Sequence, residues 1–106
     1  MALRFFRVRW RWAPGASELT RRHTRLAIGG WLSGIGFGTF RFRERGPLQS
    51  LYVQGDEDLN SSARAIHSFV VQVVRPGEHD GPIRSGLATG DRRRRDRIDP
   101  SDPRLA

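Results

Sequence analysis

Residues 6 to 12 read FRVRWRW, and apolar and charged side chains alternate along this stretch without interruption. On an extended backbone, one side would carry Phe6, Val8, Trp10 and Trp12, and the other would carry Arg7, Arg9 and Arg11. A period of two with aromatic and β-branched residues is typical of a β-strand, whereas a helix would scatter the same apolar residues around its circumference. The stretch therefore predicts a strand with one buried face and one positively charged face.

A turn and a helix follow this strand. Ala13, Pro14 and Gly15 break the chain, and Ser17 is suited to cap a helix that begins at Glu18, near the positive end of the helix dipole. One face of this helix would carry Leu19, His23, Leu26, Ala27 and Gly30, and the opposite face Glu18, Arg21, Arg22 and Arg25. The pattern predicts a basic amphipathic helix of about three turns that ends at Gly29 and Gly30.

The fifteen residues from Leu26 to Phe40, LAIGGWLSGIGFGTF, contain no charge. A membrane-spanning helix needs about 20 mostly apolar residues, and this segment is shorter and is interrupted by five glycines. Glycine costs about 1 kcal/mol in a helix interior and suits turns and bulges. We therefore predict that the glycines end the helix and lead into a strand; the alternative is a segment that associates with membranes.

Two more strands and a second helix are expected after the glycines. Period two returns from Ile35 to Arg43, and residues 48 to 54 give a third strand. Gly46 and Pro47 form the turn between them, so the two strands pair as a hairpin. Asn60 can then cap a second helix whose buried face would carry Ala63, Ile66, Val70 and Val73.

The fold class that these elements predict is α+β, a small antiparallel sheet with two helices packed on one face. Residues 69 to 74 also have strand character, so the order of elements is either βαββα or βαββαβ. Beyond Gly77 the hydrophobic periodicity is lost and the chain is rich in Arg, Asp, Gly and Pro. We expect a basic domain over residues 1–76 and a disordered tail over residues 77–106.

Positive charge is concentrated near the start of the chain. Residues 1 to 45 contain ten arginines and two glutamates, whereas residues 46 to 106 contain nine arginines and nine acidic residues. The whole net charge of +8 therefore lies in the first 45 residues. All 19 basic residues are arginine, which a GC-rich gene or an overlapping reading frame would also produce, so we treat them only as positive charges. A one-sided basic surface attracts phosphate polymers or anionic lipids.

No pattern in the chain is typical of a catalytic or metal site. The chain has no cysteine, which excludes disulfides, thiol catalysis and thiolate metal ligands. Its three histidines lack metal-ligand spacing, no serine lies in a nucleophile-elbow motif, and without lysine there is no P-loop. We expect a protein that is not an enzyme and that holds no cofactor and no metal ion.

Two resemblances to known families concern these strands. Residues 36 to 42, GFGTFRF, are similar to part of the RNA-recognition-motif strand, with Ile35 in place of its basic residue and Thr39 in place of an aromatic one. They follow the first helix too closely to leave room for the second strand of that fold, so we do not assign the chain to it. The element order over residues 3 to 74, with the basic strand FRFRERG at residues 40 to 46, is similar to the plant tombusvirus silencing suppressors. That resemblance implies a sheet that binds double-stranded RNA.

Arginines interleaved with aromatic residues on predicted strands favour a non-catalytic nucleic-acid-binding protein. We expect RNA as the partner, with double-stranded RNA as one candidate, because A-form RNA is recognised through shape, phosphate and 2′-OH contacts. The predicted contact residues are Arg7, Arg9, Arg11, Arg41 and Arg43, with Arg21, Arg22 and Arg25 as a flanking patch.

Two alternatives remain open. A peripheral membrane-surface protein would bind anionic head groups with its arginines and would insert Phe5, Phe6, Trp10, Trp12, Trp31 and Phe37 into the interface. A small structural protein would form a homo-oligomer, and its basic face would be incidental. The sequence has no convincing signal peptide or membrane span, which favours the cytoplasm, although an arginine-rich start without acids also resembles a mitochondrial presequence.

Overall fold

Strands and helices follow the order βαββαβ in the computed structural model, which describes residues 2–55 and 59–91. The elements are β1 (Ala2–Trp12), α1 (Glu18–Gly34), β2 (Phe40–Arg45), β3 (Leu48–Gln54), α2 (Leu59–Val73) and β4 (His79–Asp91). The α+β class is confirmed, and of the two predicted orders the one with a final strand is present. Neither helix in the described part of the chain has the length and apolar character needed to cross a membrane.

The four strands form one antiparallel sheet in the order β2-β3-β1-β4. β1 is central, with β3 on one side and β4 on the other. Consecutive strands joined by a helix are therefore not neighbours, because another strand lies between them. The chain thus consists of two βαβ units, β1-α1-β2 and β3-α2-β4, and each has a strand of the other unit between its own two strands. This arrangement is the split βαβ, or ferredoxin-like, topology. This topology supports many unrelated functions, so function must be argued from the side chains.

The hydrophobic core lies between the sheet and the two helices. β1 contributes Phe6, Val8, Trp10 and Trp12, as the alternation of its sequence predicts. They pack with Leu51 and Val53 of β3 and with helix residues that include Ile28, Leu32, Ile66 and Val70. Trp10 and Trp12 meet edge to face, with ring centroids 5.5 Å apart. The even-numbered positions of β1 therefore face the helices, and the odd-numbered positions face away from them.

Helix α1 begins as predicted and ends later than predicted. The side chain of Ser17 caps it by accepting a hydrogen bond from the Thr20 N–H at 3.1 Å. The helix then continues through Gly29 and Gly30 to Gly34. Residues beyond the glycine pair stabilise this extra turn, since Leu32 is fully buried and the Trp31 ring stacks on Phe69 of α2.

The predicted apolar face of α1 was wrong. Leu19 and Leu26 are 61% and 64% exposed, and the residues buried against the sheet are Thr24, Ile28 and Leu32. Thr24 can be buried because its hydroxyl donates a hydrogen bond to the Thr20 carbonyl within the helix, at 2.9 Å. A polar residue thus occupies a core position without leaving a hydrogen-bonding group unsatisfied.

In the second half of the chain, β2 and α2 begin or end at residues other than those predicted. β2 starts at Phe40 rather than Ile35, and its hairpin with β3 turns at Gly46 and Pro47 as expected, with Gly46 at φ 57°. Residues 69 to 73 belong to α2, so a strand over 69–74 was wrong.

The final strand is β4, which lies beyond the predicted domain boundary at residue 76. The loss of hydrophobic periodicity and the Arg, Asp, Gly and Pro content predict a disordered tail here, whereas residues 79 to 91 form a strand because they pair with β1. The rest of that predicted tail, from residue 92 onward, lies outside the described residues.

Candidate nucleic-acid interface

The face of the sheet opposite the helices carries a set of arginines from three strands. In the pairing registers, Arg7 and Arg41 both lie opposite Tyr52, and Arg9 and Arg43 both lie opposite Ser50. Residues paired directly across an antiparallel ladder point to the same face of the sheet. We call this surface the arginine face, and its members are Arg7, Arg9 and Arg11 of β1, Arg41, Arg43 and Arg45 of β2, and Arg84 of β4.

Two rows of arginines flank strand β3. The rows on β1 and β2 are separated by this one strand, and neighbouring strands are about 4.8 Å apart, so the backbones of the two rows are about 10 Å apart. Within a row the step between arginines is about 6.8 Å. The β3 residues between the rows are neutral: Leu48, Ser50, Tyr52 and Gln54. The result is a regular array of guanidinium groups across the sheet, with Asp80 at its end opposite Arg11.

The positive charges on this face act on one another. Arg9 lies directly opposite Arg84, and like charges in that relationship are destabilising. The pKa of Arg7 is lowered from its usual value, first by burial and then by repulsion from Arg9. A ligand with closely spaced negative charges would relieve this repulsion, which favours a polyanion over a single weak anion.

Two aromatic rings also belong to this face. Phe5 of β1 and Tyr52 of β3 meet edge to face, with ring centroids 6.4 Å apart, and both are almost completely buried. Burial raises the pKa of Tyr52 and the charge of Arg7 opposes that rise; the hydroxyl, whose ordinary pKa is already near 10, is neutral at pH 7. Because the rings are covered, they do not form an open platform on which bases could stack.

The arginines of α1 lie on the other side of the sheet. Arg25 Nη1 is 2.6 Å from Glu44 Oε2, and Arg21 Nε is 3.6 Å from Glu44 Oε1. Glu44 pairs with Gln49 on the helix side of β2, so these contacts join α1 to the edge of the sheet. Arg22 is exposed on the same helix. The three residues predicted as a flanking patch therefore do not extend the arginine face.

The aromatic residues proposed for membrane insertion are mostly in the core. Phe5, Phe6, Trp10 and Trp12 are at most 5% exposed, while Trp31 and Phe37 are half-buried. The exposed apolar surface of the Gly-rich segment is instead a groove of about 550 Å³ between α1 and β2. Its lining is mostly apolar and glycine, and comprises Leu26, Gly29, Gly30, Phe40 and Phe42 together with Arg22, Arg25 and Ser33.

Of the eight predicted contact residues, five come together on the arginine face, and sequence reasoning missed four neighbours. Arg45 continues the alternation of Arg41 and Arg43, so its place on this face could have been predicted from the sequence. Arg84 was missed because β4 was assigned to the tail. Ser50 and Tyr52 were missed because the pairing register cannot be read from one strand. Within the described ranges, no group of histidine and acidic side chains is placed to hold a metal ion.

The chain was compared with protein-family models, with curated proteins and with solved structures. None of the three comparisons gives a match.

Proposed function

We propose that this protein is a non-catalytic RNA-binding protein that holds the sugar-phosphate backbone on its arginine face. The observation that carries the proposal is the arrangement of seven arginines on one side of the sheet, with both helices on the other. Nucleic acid is the common biological polymer with closely and regularly spaced negative charges. The spacing of the rows, about 7 by 10 Å, suits such a ligand better than a small anion.

Backbone contact rather than base recognition fits the side chains of this face. Phosphate contacts are made mainly by arginine and lysine and carry no direct sequence information. Base stacking would require exposed aromatic rings, and Phe5 and Tyr52 are covered. We infer that binding is largely independent of sequence, and that duplex RNA, which is recognised through its shape and backbone, is a suitable ligand.

The first test is fluorescence anisotropy of a labelled RNA duplex of about 16 to 20 base pairs in a series of salt concentrations. If six or seven phosphates are contacted, affinity should fall by about a thousandfold or more between 50 and 200 mM salt. The face variant replaces Arg9, Arg11 and Arg43 by glutamine. It should weaken binding and reduce the slope of log K against log salt by about two to three.

A matched control removes the same charge elsewhere. Arg22, Arg64 and Arg75 are exposed and lie outside the sheet. Their replacement by glutamine changes the net charge of the protein as much as the face variant does, but it should leave the slope within experimental error of the parent. Equal effects of the two triple variants would mean that net charge alone attracts RNA and would reject the arginine face. Circular dichroism and Tm establish that each variant is folded.

Vesicles that contain anionic lipid serve as competitor in the same assay. An RNA-binding face predicts that RNA competes effectively with the vesicles and that the face variant loses most RNA affinity. Displacement of RNA at low lipid concentration, together with blue-shifted tryptophan emission on vesicles, would instead favour the membrane-surface function. In that case the groove at Leu26 would be the surface to mutate.

A further inference from the structure

Three polar atoms at the centre of the arginine face are buried and have no hydrogen-bond partner within residues 2–55 and 59–91. They are Nη1 of Arg7, Oγ of Ser50 and the hydroxyl of Tyr52. Arg7 is paired directly with Tyr52 across the strands, and Ser50 precedes Tyr52 by one step on the same face of β3. Ser50 and Tyr52 are only 1% and 3% exposed. Neither hydroxyl has a described partner of good hydrogen-bond geometry, although Ser50 lies close enough to Tyr52 to oppose the rise in its pKa by hydrogen bonding to the phenolate.

Arg7, Ser50 and Tyr52 together offer hydrogen-bond donors for which no described residue supplies an acceptor. A guanidinium group only donates hydrogen bonds, and a neutral tyrosine or serine hydroxyl can donate one. The residues around the trio add more positive charge, because Arg9 and Arg43 flank Ser50 in the pairing register. Buried polar groups are nearly always hydrogen-bonded in proteins, so a cluster of unsatisfied ones is a feature that a ligand can explain.

We propose that Arg7, Ser50 and Tyr52 form a seat for one phosphate group, which fixes the position of the nucleic-acid backbone on the arginine face. This inference rests on the proposed function and adds to it the atoms that make the closest contact. Phosphate oxygens accept hydrogen bonds only, and such charge-assisted bonds are about twice as strong as neutral ones. The other arginines of the face would attract the polymer over distance, and the seat would hold it in place.

The seat is covered in the free protein, so binding must uncover it. The half-buried side chains beside Ser50 are Arg9 and Arg43, whose long flexible stems can move without any change in the backbone. We infer that their guanidinium groups turn toward neighbouring phosphates and that this movement gives the phosphate access to the hydroxyls. The Tyr52 hydroxyl is able to donate, because a tyrosine is protonated at pH 7 and burial moves its pKa further above that pH.

Two conservative variants test the seat, Tyr52→Phe and Ser50→Ala. Each removes one oxygen atom that has no hydrogen-bond partner of good geometry in the described part of the chain, so each should leave Tm unchanged or raise it. Each should also weaken binding of the RNA duplex by about fivefold or more, while the salt slope stays the same because no charge is lost. Ser33→Ala, at a serine exposed on α1, is the matched control and should change neither the RNA affinity nor the salt slope. Unchanged RNA affinity in the two variants would overturn the seat whatever the Tm, and an accompanying fall in Tm would identify the hydroxyls as structural groups.

Titration with inorganic phosphate tests the seat without RNA. At constant ionic strength, phosphate should produce saturable NMR shifts at residues 7, 50 and 52, and both hydroxyl variants should weaken this binding severalfold. If RNA binds and phosphate causes no such shifts, the seat is rejected and the proposed function stands. If phosphate binds at the seat and RNA does not bind, the proposed function fails while the seat remains. Weak shifts spread over all the arginines and unaffected by the variants would mean an adventitious ion only, and would also overturn the seat.

Discussion

Arg7 on β1 lies directly opposite Tyr52 on β3, and each side chain alters the acid–base behaviour of the other. Burial lowers the pKa of Arg7 and raises the pKa of Tyr52, because it disfavours the charged form of both groups. Attraction between guanidinium and phenolate opposes both shifts. The net result is a neutral hydroxyl held beside a positive charge in the middle of the sheet.

The raised pKa of Tyr52 predicts a loss of stability at alkaline pH. The chain has one tyrosine and neither lysine nor cysteine, so Tyr52 is the side chain whose ordinary pKa lies near 10. Because its folded pKa is higher than its unfolded value, stability is fully present below about pH 10 and falls as pH rises from there toward the folded pKa.

Ultraviolet absorbance of tyrosinate should follow this ionisation directly. The transition should lie above pH 10 in the folded protein and near 10 in denaturant. Urea unfolding at about pH 9 and about pH 11 should show the fall in stability, and Tyr52→Phe should lack the part due to this residue. A folded-state transition at or below the unfolded one would contradict the burial of the hydroxyl.

Glu44→Gln should weaken the attachment of α1 to the sheet. The carboxylate of Glu44 contacts both Arg21 and Arg25, and the side chains of the closer pair are 27% and 32% exposed. For an ion pair that is partly open to solvent, we expect a cost of about 0.5 to 1 kcal/mol in urea unfolding, smaller at high salt. A double-mutant cycle with Arg25→Gln isolates the pair; additive effects of the two changes would show that the pair contributes no coupling.

Neighbouring glycines of α1 should respond differently to alanine. A Cβ atom at Gly30 would have nothing within 4 Å, so Gly30→Ala should gain up to about 1 kcal/mol from helix propensity. A Cβ atom at Gly29 would be 3.2 Å from the Phe40 ring, which must shift to accommodate it. Gly29→Ala should therefore be less stable than Gly30→Ala by at least about 0.5 kcal/mol. Thermal and urea unfolding of the two variants check this order, and equal stabilities would mean that Phe40 moves freely.

The stacked rings of Trp31 and Phe69 should couple the two helices. Their centroids are 4.3 Å apart and their planes differ by 4°. In a double-mutant cycle to alanine, we expect a coupling free energy of about 0.5 to 1.5 kcal/mol. Trp31 with Phe5, which packs with Tyr52 in a separate cluster on the other face of the sheet, provides a control pair with little expected coupling. A coupling near zero for Trp31 and Phe69 would show that the stack does not hold the helices together.

The elements that could be predicted from sequence are those with a strong local signal. The alternation of residues 6 to 12 located the central strand and its two faces, and Ser17 located the start of α1. The end of α1 could not be predicted, because Trp31 and Leu32 are stabilised by contacts with distant residues. Tertiary packing overrode the local cost of two glycines.

For a similar reason, only part of the candidate site could be predicted from the sequence. The sequence places Arg7, Arg9, Arg41 and Arg43 on strands. It does not show that β3 lies between those two strands, because the order of strands is set by the topology of the whole sheet. Arg21 and Arg25 carry the same charge as this group, but α1 lies on the other side of the sheet, where both residues contact Glu44. The trio at Tyr52 depends on cross-strand register, which a single strand sequence does not contain.

The position of β4 has a consequence for how the chain folds. β1 forms the centre of the sheet from residues 2–12, but one of its two partners is made of residues 79–91. Such non-local pairing gives a high contact order and slow folding. During synthesis at about 5 to 20 residues per second, β1 must wait several seconds for β4, with one edge unpaired. Most of the domain would thus leave the ribosome before β4 pairs with the central strand. During that time the arginines of β1 would be exposed to cellular RNA on a sheet that still lacks one strand.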